Sequence, residues 1–466
     1  MYVKQLYTGC LAEAAYYIES NGEAAIIDPL RETEPYTELA NERGAKIKYV
    51  FETHFHADFV SGHIDLAKKS GATIVYGPTA NPSYDVHVGE DNEEFKIGDI
   101  TIKLLHTPGH TPESTTYLLK DENGKDQAIF TGDTLFLGDV GRPDLAIKSN
   151  VTEKDLAGML YDSLRNKIMP LADDVTVYPG HGAGSACGKN MSSETVGTLG
   201  DQKKTNYALR ADMSKEEFVA EVLDGIAPPP QYFPKNAMLN KTGYKSIDDI
   251  MNNSVKALSL SEFENNMNDA LILDTRSQAD FVKGYIPNSM FIGINGSFAV
   301  WVGALIEDLH QKIIIIADEG KEEEVVLRLA RVGYDNCLGY LNGGFETWKN
   351  AGKEVATIES IAASSLKSRL NENSQIVDVR KPNEFTSEHV EDAINFPLDY
   401  INNHLNELDN EKEHLVHCKS GYRSVIAASI LKKHGYKNVV DIAGGFQAIS
   451  EDGSLPMTAF VCPSTL

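Results

Sequence analysis

The chain has 466 residues, which exceeds the size at which one hydrophobic core keeps growing, and at roughly 150 residues per domain it predicts about three domains. Hydrophobic residues make up 42% and charged residues 24%, so the composition is that of a globular protein and excludes a disordered one. Lys and Arg total 43 against 68 Asp and Glu. The net charge of -25 repels polyanions and argues against a nucleic-acid partner.

The sequence also argues against export and membrane insertion. Its first 19 residues mix charge with β-type alternation and lack the basic start and apolar core of a secretion signal. No apolar run approaches the ~20 residues of a membrane helix. We therefore expect a cytoplasmic protein that does not bind membranes. The five cysteines form no CxxC pair, which argues against a disulfide framework or a zinc-thiolate site; they are Cys10, Cys187, Cys337, Cys418 and Cys462.

Residues 1 to about 210 alternate short β-type runs with helical stretches, and histidines and aspartates stand where the runs end. A segment rich in proline and polar residues follows and ends near Tyr244. We interpret this segment as a connector. It divides the chain into a first domain, 1–244, and a C-terminal half.

The C-terminal half contains an internal repeat. LILDTRSQADF parallels QIVDVRKPNEF, and each is followed by an apolar strand, a loop, a helix and a GGF motif. The repeat predicts two parallel α/β domains, 245–356 and 357–466. Matched landmarks are offset by 104, 100 and 101 residues; they are Asp274 with Asp378, Asp318 with Cys418, and Gly343 with Gly444.

Three metal-competent side chains follow strands of the first domain. His54 stands after KYVF, His110 after ITIKLL, and Asp133 after QAIF. Strand ends of one sheet system can bring distant residues together. Two neutral imidazoles and one carboxylate form a facial triad that leaves positions open on Fe(II) for O2 and substrate.

These motifs resemble the metallo-β-lactamase superfamily over about the first 200 residues, and the resemblance implies an αββα sandwich. Binuclear hydrolases of this superfamily, such as glyoxalase II, have HxHxDH, whose last histidine helps to hold a second metal. Phe59 occupies that position here and cannot ligate, which makes a full second site doubtful. We expect His56 and Asp58 to orient ligands or handle protons, and His181 to do the same or to contact substrate.

The match is closer to the persulfide dioxygenases. This resemblance implies one Fe(2+) per chain, held by His54, His110 and Asp133. GRPD resembles a segment of that family in which Arg142 would meet an anionic group of the substrate thiol. Cys187 lies six residues after His181 in a Gly/Ser-rich loop, which we expect to leave its thiol exposed near substrate.

The loop HCKSGYRS lies between an apolar run and a helical stretch in the last domain. A cysteine at this place is surrounded by backbone N–H groups and by the positive end of the helix dipole, which favour thiolate and persulfide anions. Cys418 is the predicted nucleophile and Arg423 a fixed cation beside it. The residues between them are expected to contact the sulfur substrate; they are Lys419, Ser420, Gly421 and Tyr422.

CxxGxR, with DVR upstream and GGF downstream, resembles the active loop of rhodanese sulfurtransferases. Phosphatases of the HCxxxxxR type have a similar loop, but theirs needs one more residue between Cys and Arg. In the middle domain the cysteine position is Asp318, followed by three nearby glutamates. A carboxylate cannot accept sulfur in this way, so we expect this rhodanese-like domain to be catalytically inactive.

The order of the three domains resembles the bacterial persulfide dioxygenase–rhodanese fusions. It implies that O2 oxidises a low-molecular-weight thiol persulfide to sulfite, which Cys418 converts to thiosulfate. The thiol is of the coenzyme A, glutathione or bacillithiol type, and a homo-oligomer is expected. Two alternatives stay open: a metal-dependent hydrolase of the glyoxalase II or lactonase kind fused to a sulfurtransferase, and a non-enzymatic persulfide carrier or sensor.

Overall fold

The structure is a computed structural model that describes residues 1–146 and 151–462. The chain divides into two compact units, Met1–Asp249 with Ala330–Gly333, and Ile250–Leu329 with the chain from Tyr334 onward. Within the described ranges, no helix is long and apolar enough to cross a membrane.

The first unit contains two six-stranded sheets. The first sheet has the strand order β1-β2-β3-β4-β5-β6, and β3 to β6 run parallel. Its strands and the first helices are β1 Tyr2–Thr8, β2 Glu13–Ser20, β3 Glu23–Ile27, α1 Glu34–Arg43, β4 Lys46–Phe51, α2 His63–Ser70, β5 Thr73–Tyr76 and β6 His87–Val88.

The second sheet has the strand order β12-β11-β10-β9-β8-β7 and is mainly antiparallel. A π-helical turn, Leu164–Ile168, extends the first of its helices, and a 3-10 turn spans Tyr207–Leu209. The remaining elements are β7 Glu94–Ile97, β8 Ile100–His106, β9 Thr115–Lys120, β10 Asp126–Gly132, α3 Glu153–Ser163, β11 Thr176–Pro179, β12 Gly197–Thr198, α4 Leu199–Thr205, α5 Lys215–Leu223 and α6 Phe233–Thr242.

Alternating side chains produce the layers of this unit. Tyr16 and Phe51 of the first sheet meet Tyr117 and Phe130 of the second in one buried cluster between the sheets. The opposite face of β2 and β3 packs on α1, and the opposite face of the second sheet packs on α3, α4 and α5. The predicted αββα sandwich is therefore confirmed.

Two modules with the same topology make up most of the second unit. The middle module consists of α7 Ile247–Ser254, β13 Ala257–Leu258, α8 Leu260–Asn266, β14 Leu271–Asp274, α9 Gln278–Lys283, β15 Met290–Phe291, α10 Phe298–Leu305, β16 Ile313–Ile316, α11 Glu322–Arg331, β17 Cys337–Leu341 and α12 Gly344–Asn350. Its parallel sheet has the order β13-β17-β16-β14-β15.

The last module repeats that arrangement in the order β18-β22-β21-β19-β20. It consists of β18 Glu359–Ala362, α13 Ala363–Arg369, β19 Ser374–Asp378, α14 Pro382–Ser387, β20 Ile394–Asn395, α15 Ile401–His404, β21 Glu413–His417, α16 Tyr422–Lys433, β22 Val439–Ala443 and α17 Gly445–Asp452, with 3-10 turns at Leu398–Tyr400 and Leu405–Glu407. The two parallel α/β domains predicted from the repeat are thus present as folds, whereas the boundaries drawn around them stay a prediction.

A buried ion pair is common to both modules. The Arg276 guanidinium donates to the Asp274 carboxylate and to the Gly284 carbonyl. Arg380 makes the same contacts with Asp378 and the Glu388 carbonyl. The pair joins the end of a central strand to the end of the following helix, which explains why the sequence repeats it.

Candidate active site

Four chemically active side chains of the first unit follow the C-terminal ends of strands. His54 follows β4, His110 follows β8, Asp133 follows β10 and His181 follows β11. All four are at most 2% exposed. The two sheets of the sandwich therefore place residues from four distant segments at one edge of the fold.

The predicted triad converges on the Asp133 Oδ2 atom. This oxygen lies 3.4 Å from His110 Nε2 and 4.0 Å from His54 Nε2, and it is buried without a hydrogen-bond partner among the described residues. One ligand atom from each of the three residues falls within 4.8 Å of the others. A buried carboxylate oxygen facing two imidazole nitrogens, with nothing satisfying it, is the donor set that a divalent metal requires.

The far nitrogen of each imidazole is held by the protein. His110 Nδ1 donates to the Arg142 carbonyl at 2.8 Å. His54 Nδ1 lies 3.0 Å from the Thr53 hydroxyl, which donates to Asp28 at 2.8 Å and therefore accepts from the ring. Both rings thus direct the lone pair of Nε2 towards Asp133, as metal-binding histidines do.

The charges of the site agree with this geometry. Burial lowers the pKa of His54 well below its usual value, and the neighbouring His56 lowers it further, so the imidazole is neutral. Burial opposes ionisation of Asp133, but the charge and hydrogen bond of His181 hold its pKa below the usual value. Neutral imidazoles and an ionised carboxylate are the forms that bind a metal.

His181 lies between two carboxylates. Its Nδ1 is 2.8 Å from Asp133 Oδ1, and its Nε2 is 2.8 Å from Asp58 Oδ2. Although burial opposes the charge, these two carboxylates raise the pKa of His181 well above its usual value. Both ring nitrogens of His181 therefore have a carboxylate partner. The ring of Phe59 is fully buried and lies beside His56, with ring centroids 4.4 Å apart.

Two further groups of buried side chains have ligand atoms within 4.8 Å of one another, Asp58–His181–Cys187 and Asp28–Glu52–His56. In the second group, His56 Nε2 lies 3.1 Å from Asp28 Oδ1. His56 therefore lies against Asp28, which holds Thr53 beside His54, and Asp58 binds His181.

The structure corrects the expected environment of Cys187. The thiol is 1% exposed, although the Gly/Ser-rich loop was expected to leave it open to solvent. The Arg142 N–H donates to the Cys187 carbonyl, which ties the loop to the site. Burial raises the pKa of the thiol well above its usual value, and the carboxylates of Asp133 and Asp58 raise it further. Its part in a sulfur relay stays a prediction.

The Arg142 side chain is engaged within the protein. Its guanidinium binds Asp144 through two contacts of 2.6 and 2.7 Å and donates to the Ala227 carbonyl at 2.6 Å. The part of Arg142 that the geometry connects with the triad is its backbone carbonyl, which holds His110. A substrate contact of its side chain stays a prediction.

The Cys418 loop connects β21 with α16. The Cys418 sulfur accepts the Gly421 N–H at 3.1 Å and lies 3.7 Å from the Ser424 hydroxyl, which donates to Asp441. Arg423 binds Glu384 through two contacts of 2.6 and 2.9 Å. Lys419 and Ser420 are exposed at the rim of the loop. Ser424, Asp441 and Glu384 were not predicted as site residues, although Ser424 and Glu384 lie within the motifs HCKSGYRS and DVRKPNEF.

The GGF motif and the residue after it bind the same loop through backbone hydrogen bonds. The Phe446 N–H donates to the Cys418 carbonyl at 2.6 Å, and the Gln447 N–H donates to the Lys419 carbonyl at 3.1 Å. A Cβ on Gly445 would lie 2.4 Å from the Cys418 carbonyl oxygen, and its φ of 60° favours glycine. This close approach explains why glycine stands at that position.

The middle module has no nucleophile at the equivalent position. Asp318 is exposed after β16, and α11 begins with three glutamates. Cys337 is buried at the start of β17, and burial raises the pKa of its thiol to about 12.

Comparison with known proteins agrees with this architecture. Residues 8–181 match the Metallo-beta-lactamase superfamily, and residues 259–351 and 362–452 match the Rhodanese-like domain. The metallo-beta-lactamase of Staphylococcus aureus subsp. aureus COL is a similar solved structure, with a TM-score of 0.65 and 32% identity, covering 73% of this chain and 98% of that one. The class defined by fold and site is therefore a metallo-β-lactamase domain followed by two rhodanese-like domains.

Two curated relatives of the first domain have different activities in their names. The human mitochondrial persulfide dioxygenase ETHE1 is 31% identical over 211 residues, 45% of this chain and 74% of the relative. The hydroxyacylglutathione hydrolase of Dictyostelium discoideum is 36% identical over 167 residues, 35% of this chain and 59% of the relative. The chain belongs to the persulfide dioxygenase family. The predicted fusion of a persulfide dioxygenase with two rhodanese-like domains is confirmed at the level of families.

Proposed function

We propose that the chain oxidises low-molecular-weight thiol persulfides with O2 at a single Fe(II) and transfers sulfur through Cys418. Residues 1–244 form the dioxygenase domain, 245–356 an inactive rhodanese-like domain and 357–466 the active sulfurtransferase. The persulfide RSSH, O2 and water give RSH, sulfite and two protons. The thiol is of the coenzyme A, glutathione or bacillithiol type.

The observation that carries this proposal is the convergence of two imidazole nitrogens on the unpaired Asp133 oxygen. His54, His110 and Asp133 would hold the iron. When bound, Fe(II) would supply open coordination positions for O2 and the persulfide. Asp28, through Thr53, and the Arg142 carbonyl keep the two rings aligned. Burial of the site excludes bulk water from the reacting sulfur.

A single metal fits these residues better than two do. In the binuclear hydrolases, the second metal needs the histidine that Phe59 replaces, and here both nitrogens of His181 are engaged by Asp133 and Asp58. Asp58 and His181 therefore work as a hydrogen-bonded support for Asp133. This arrangement favours the dioxygenase over the hydrolase.

The last domain would convert the sulfite to thiosulfate. The Cys418 thiolate attacks the outer sulfur of a second RSSH, so that a new S–S bond forms, the old one breaks and RSH leaves. Sulfite then attacks the outer sulfur of Cys418–S–SH and forms thiosulfate, which returns the Cys418 thiol. The Gly421 N–H and the start of α16 stabilise the anionic sulfur in both steps.

The test uses the full chain reconstituted with Fe(II) without oxygen. We expect about one iron per chain, O2 uptake that depends on persulfide, and sulfite and thiosulfate as products. Hydroxyacylglutathione hydrolysis with a second metal bound, and no O2 uptake, would instead show a hydrolase. An iron-loaded chain that turns over neither substrate would point to a carrier or sensor.

Replacing Phe59 with histidine should create a second metal site, because it restores the HxHxDH pattern whose last histidine helps to hold a second metal in the binuclear hydrolases. We expect zinc binding to rise towards one additional ion per chain, together with lower O2 uptake, measured by metal analysis under zinc excess. Phe55→His is the matched control, since Phe55 packs against Tyr76 instead, with ring centroids 4.8 Å apart. An unchanged zinc content in Phe59→His would show that Phe59 does not prevent the second site.

Asp318→Ala should leave the rates of sulfite and thiosulfate formation within about a factor of two, because an exposed carboxylate outside the Cys418 loop contributes little. Product analysis of the full chain measures both rates. A large loss of thiosulfate in this variant would mean that the middle module takes part chemically.

A further inference from the structure

The middle module contacts the helix that begins at the Cys418 loop, and both belong to the second unit. Tyr422 is the first residue of α16, and its hydroxyl donates to the Gly293 carbonyl at 2.6 Å. Its ring meets Phe291 edge to face, with centroids 6.1 Å apart. Burial raises the pKa of Tyr422, so the phenol stays protonated and keeps donating. A side chain from the active loop is therefore held by the neighbouring module.

Two glycines make room for this ring. A Cβ on Gly296 would lie 2.3 Å from Tyr422 Cζ and 2.6 Å from Cε1, and a Cβ on Gly293 would lie 3.3 Å from Cε2. Arg328, on α11, donates to the Ile294 carbonyl at 2.8 Å and fixes the segment that carries the glycines. We call Phe291, Gly293 and Gly296 the tyrosine socket.

A second contact holds the same face of the helix. Ser429 lies seven residues after Tyr422, two turns along α16, and therefore on the same side. Its hydroxyl oxygen accepts the Phe291 N–H at 3.0 Å. Phe291 belongs to β15, the edge strand of the middle sheet, so the contact also satisfies an edge-strand amide. Two points separated by two turns define the direction of the helix.

The direction of the helix determines the surroundings of the sulfur. Gly421, which precedes Tyr422, has a φ of 101° and donates its N–H to the Cys418 sulfur at 3.1 Å. A shift of Tyr422 moves this N–H, since Gly421 and Tyr422 are adjacent in the chain. Arg423, on the other side of Tyr422, is held by Glu384 of its own module. The Gly421 donor therefore depends on the tyrosine socket for its position.

We propose that the middle module is the positioning element of the sulfur-transfer site. It binds Tyr422 in the tyrosine socket and Ser429 at β15. These contacts orient α16 so that the Gly421 N–H points at the Cys418 sulfur. Tyr422 is then a positioning residue and does not need to touch substrate. The inference rests on the proposed function, because it assigns the socket to sulfur transfer at Cys418.

The first test is Gly296→Ala in the full chain, because the added methyl group displaces the Tyr422 ring. Two rates are measured: sulfur transfer from thiosulfate to cyanide, and alkylation of Cys418 by iodoacetamide, read from the mass of its peptide. We expect sulfur transfer to fall about tenfold or more, since small displacements of reacting groups have large effects on rate. Alkylation should fall several-fold, because a thiolate forms less readily without its N–H donor.

Tyr422→Phe keeps the ring and removes only the hydrogen bond to Gly293. We expect a smaller loss of sulfur transfer, about two- to tenfold, as for one hydrogen bond. Tyr422→Ala removes the ring, so the double variant with Gly296→Ala should transfer sulfur at the same rate as Tyr422→Ala alone. This lack of additivity is the signature of a shared contact that a general loss of stability would not give.

Gly284→Ala is the matched control in the same module. Its added Cβ would contact Phe345 and Val355 at 3.1 Å, and it should leave both rates at the wild-type level. Should Gly296→Ala not fold, Tyr422→Phe decides alone. Wild-type rates in Tyr422→Phe, or losses that multiply in the double variant, would overturn the proposal. A wild-type chain that transfers no sulfur would contradict the proposed function instead, while the alkylation rates would still report on the position of Cys418.

Discussion

Replacing Cys418 with serine is expected to reduce sulfur transfer by roughly 10³-fold or more, because a hydroxyl ionises far less readily than a thiol and cannot carry sulfane sulfur. The side chain keeps nearly the same size, so the contact with the Gly421 N–H and the loop backbone should survive. Iron content and O2 uptake should be unchanged. The product should shift from thiosulfate to sulfite, because sulfite no longer meets an enzyme-bound persulfide.

Free persulfide also reacts with sulfite in solution, so products must be compared at low substrate concentration and short times. Cys462→Ser is the matched control, since Cys462 is exposed near the end of the chain and should not affect either product. Thiosulfate formation at the wild-type rate in Cys418→Ser would place that step at the iron site, where Cys187 is the available thiol.

His110→Ala should lose its iron, because it removes one of the two imidazole nitrogens that face Asp133. The rate of O2 uptake should fall more than about 100-fold. Asp133→Ala should have the same effect. Sulfur transfer through Cys418 should survive in both variants, since the triad and Cys418 belong to separate compact units. Metal analysis, an oxygen electrode and the thiosulfate–cyanide assay measure the three properties on one sample.

His106→Ala provides the comparison for His110→Ala. His106 belongs to the same HTPGH motif, but its Nε2 donates to the Pro112 carbonyl at 3.0 Å. It should therefore retain iron and O2 uptake. Stoichiometric iron and normal O2 uptake in His110→Ala would show that another set of residues holds the metal.

The sequence was sufficient to predict which residues gather in the first unit, because a strand end is a local property. His54, His110 and Asp133 each follow an apolar run, and the sheets bring such ends together. The repeat was equally visible, since Asp274 and Asp378 recur with their arginines. Asp28 carried the same signal, a carboxylate directly after the strand EAAII, and its role in holding Thr53 was missed.

Other features depend on contacts that no local pattern encodes. The Cys187 thiol is buried and its carbonyl accepts the Arg142 N–H, and the Gly/Ser-rich composition of its loop predicts neither. The Arg142 guanidinium is held partly by the Ala227 carbonyl, 85 residues further along the chain. Tyr422 was expected to contact substrate from its place in the Cys418 loop, yet its ring and hydroxyl lie against glycines 126 to 129 residues earlier.

The hydrogen bonds from Phe446 and Gln447 to the Cys418 loop also have a consequence for synthesis of the chain. The ribosome adds Cys418 before Phe446 and Gln447, whose N–H groups bind the Cys418 loop. The loop therefore reaches its folded form only after Phe446 and Gln447 have been added. Since domains fold from the N-terminus onward during synthesis, the dioxygenase domain can fold before the chain is able to carry sulfur.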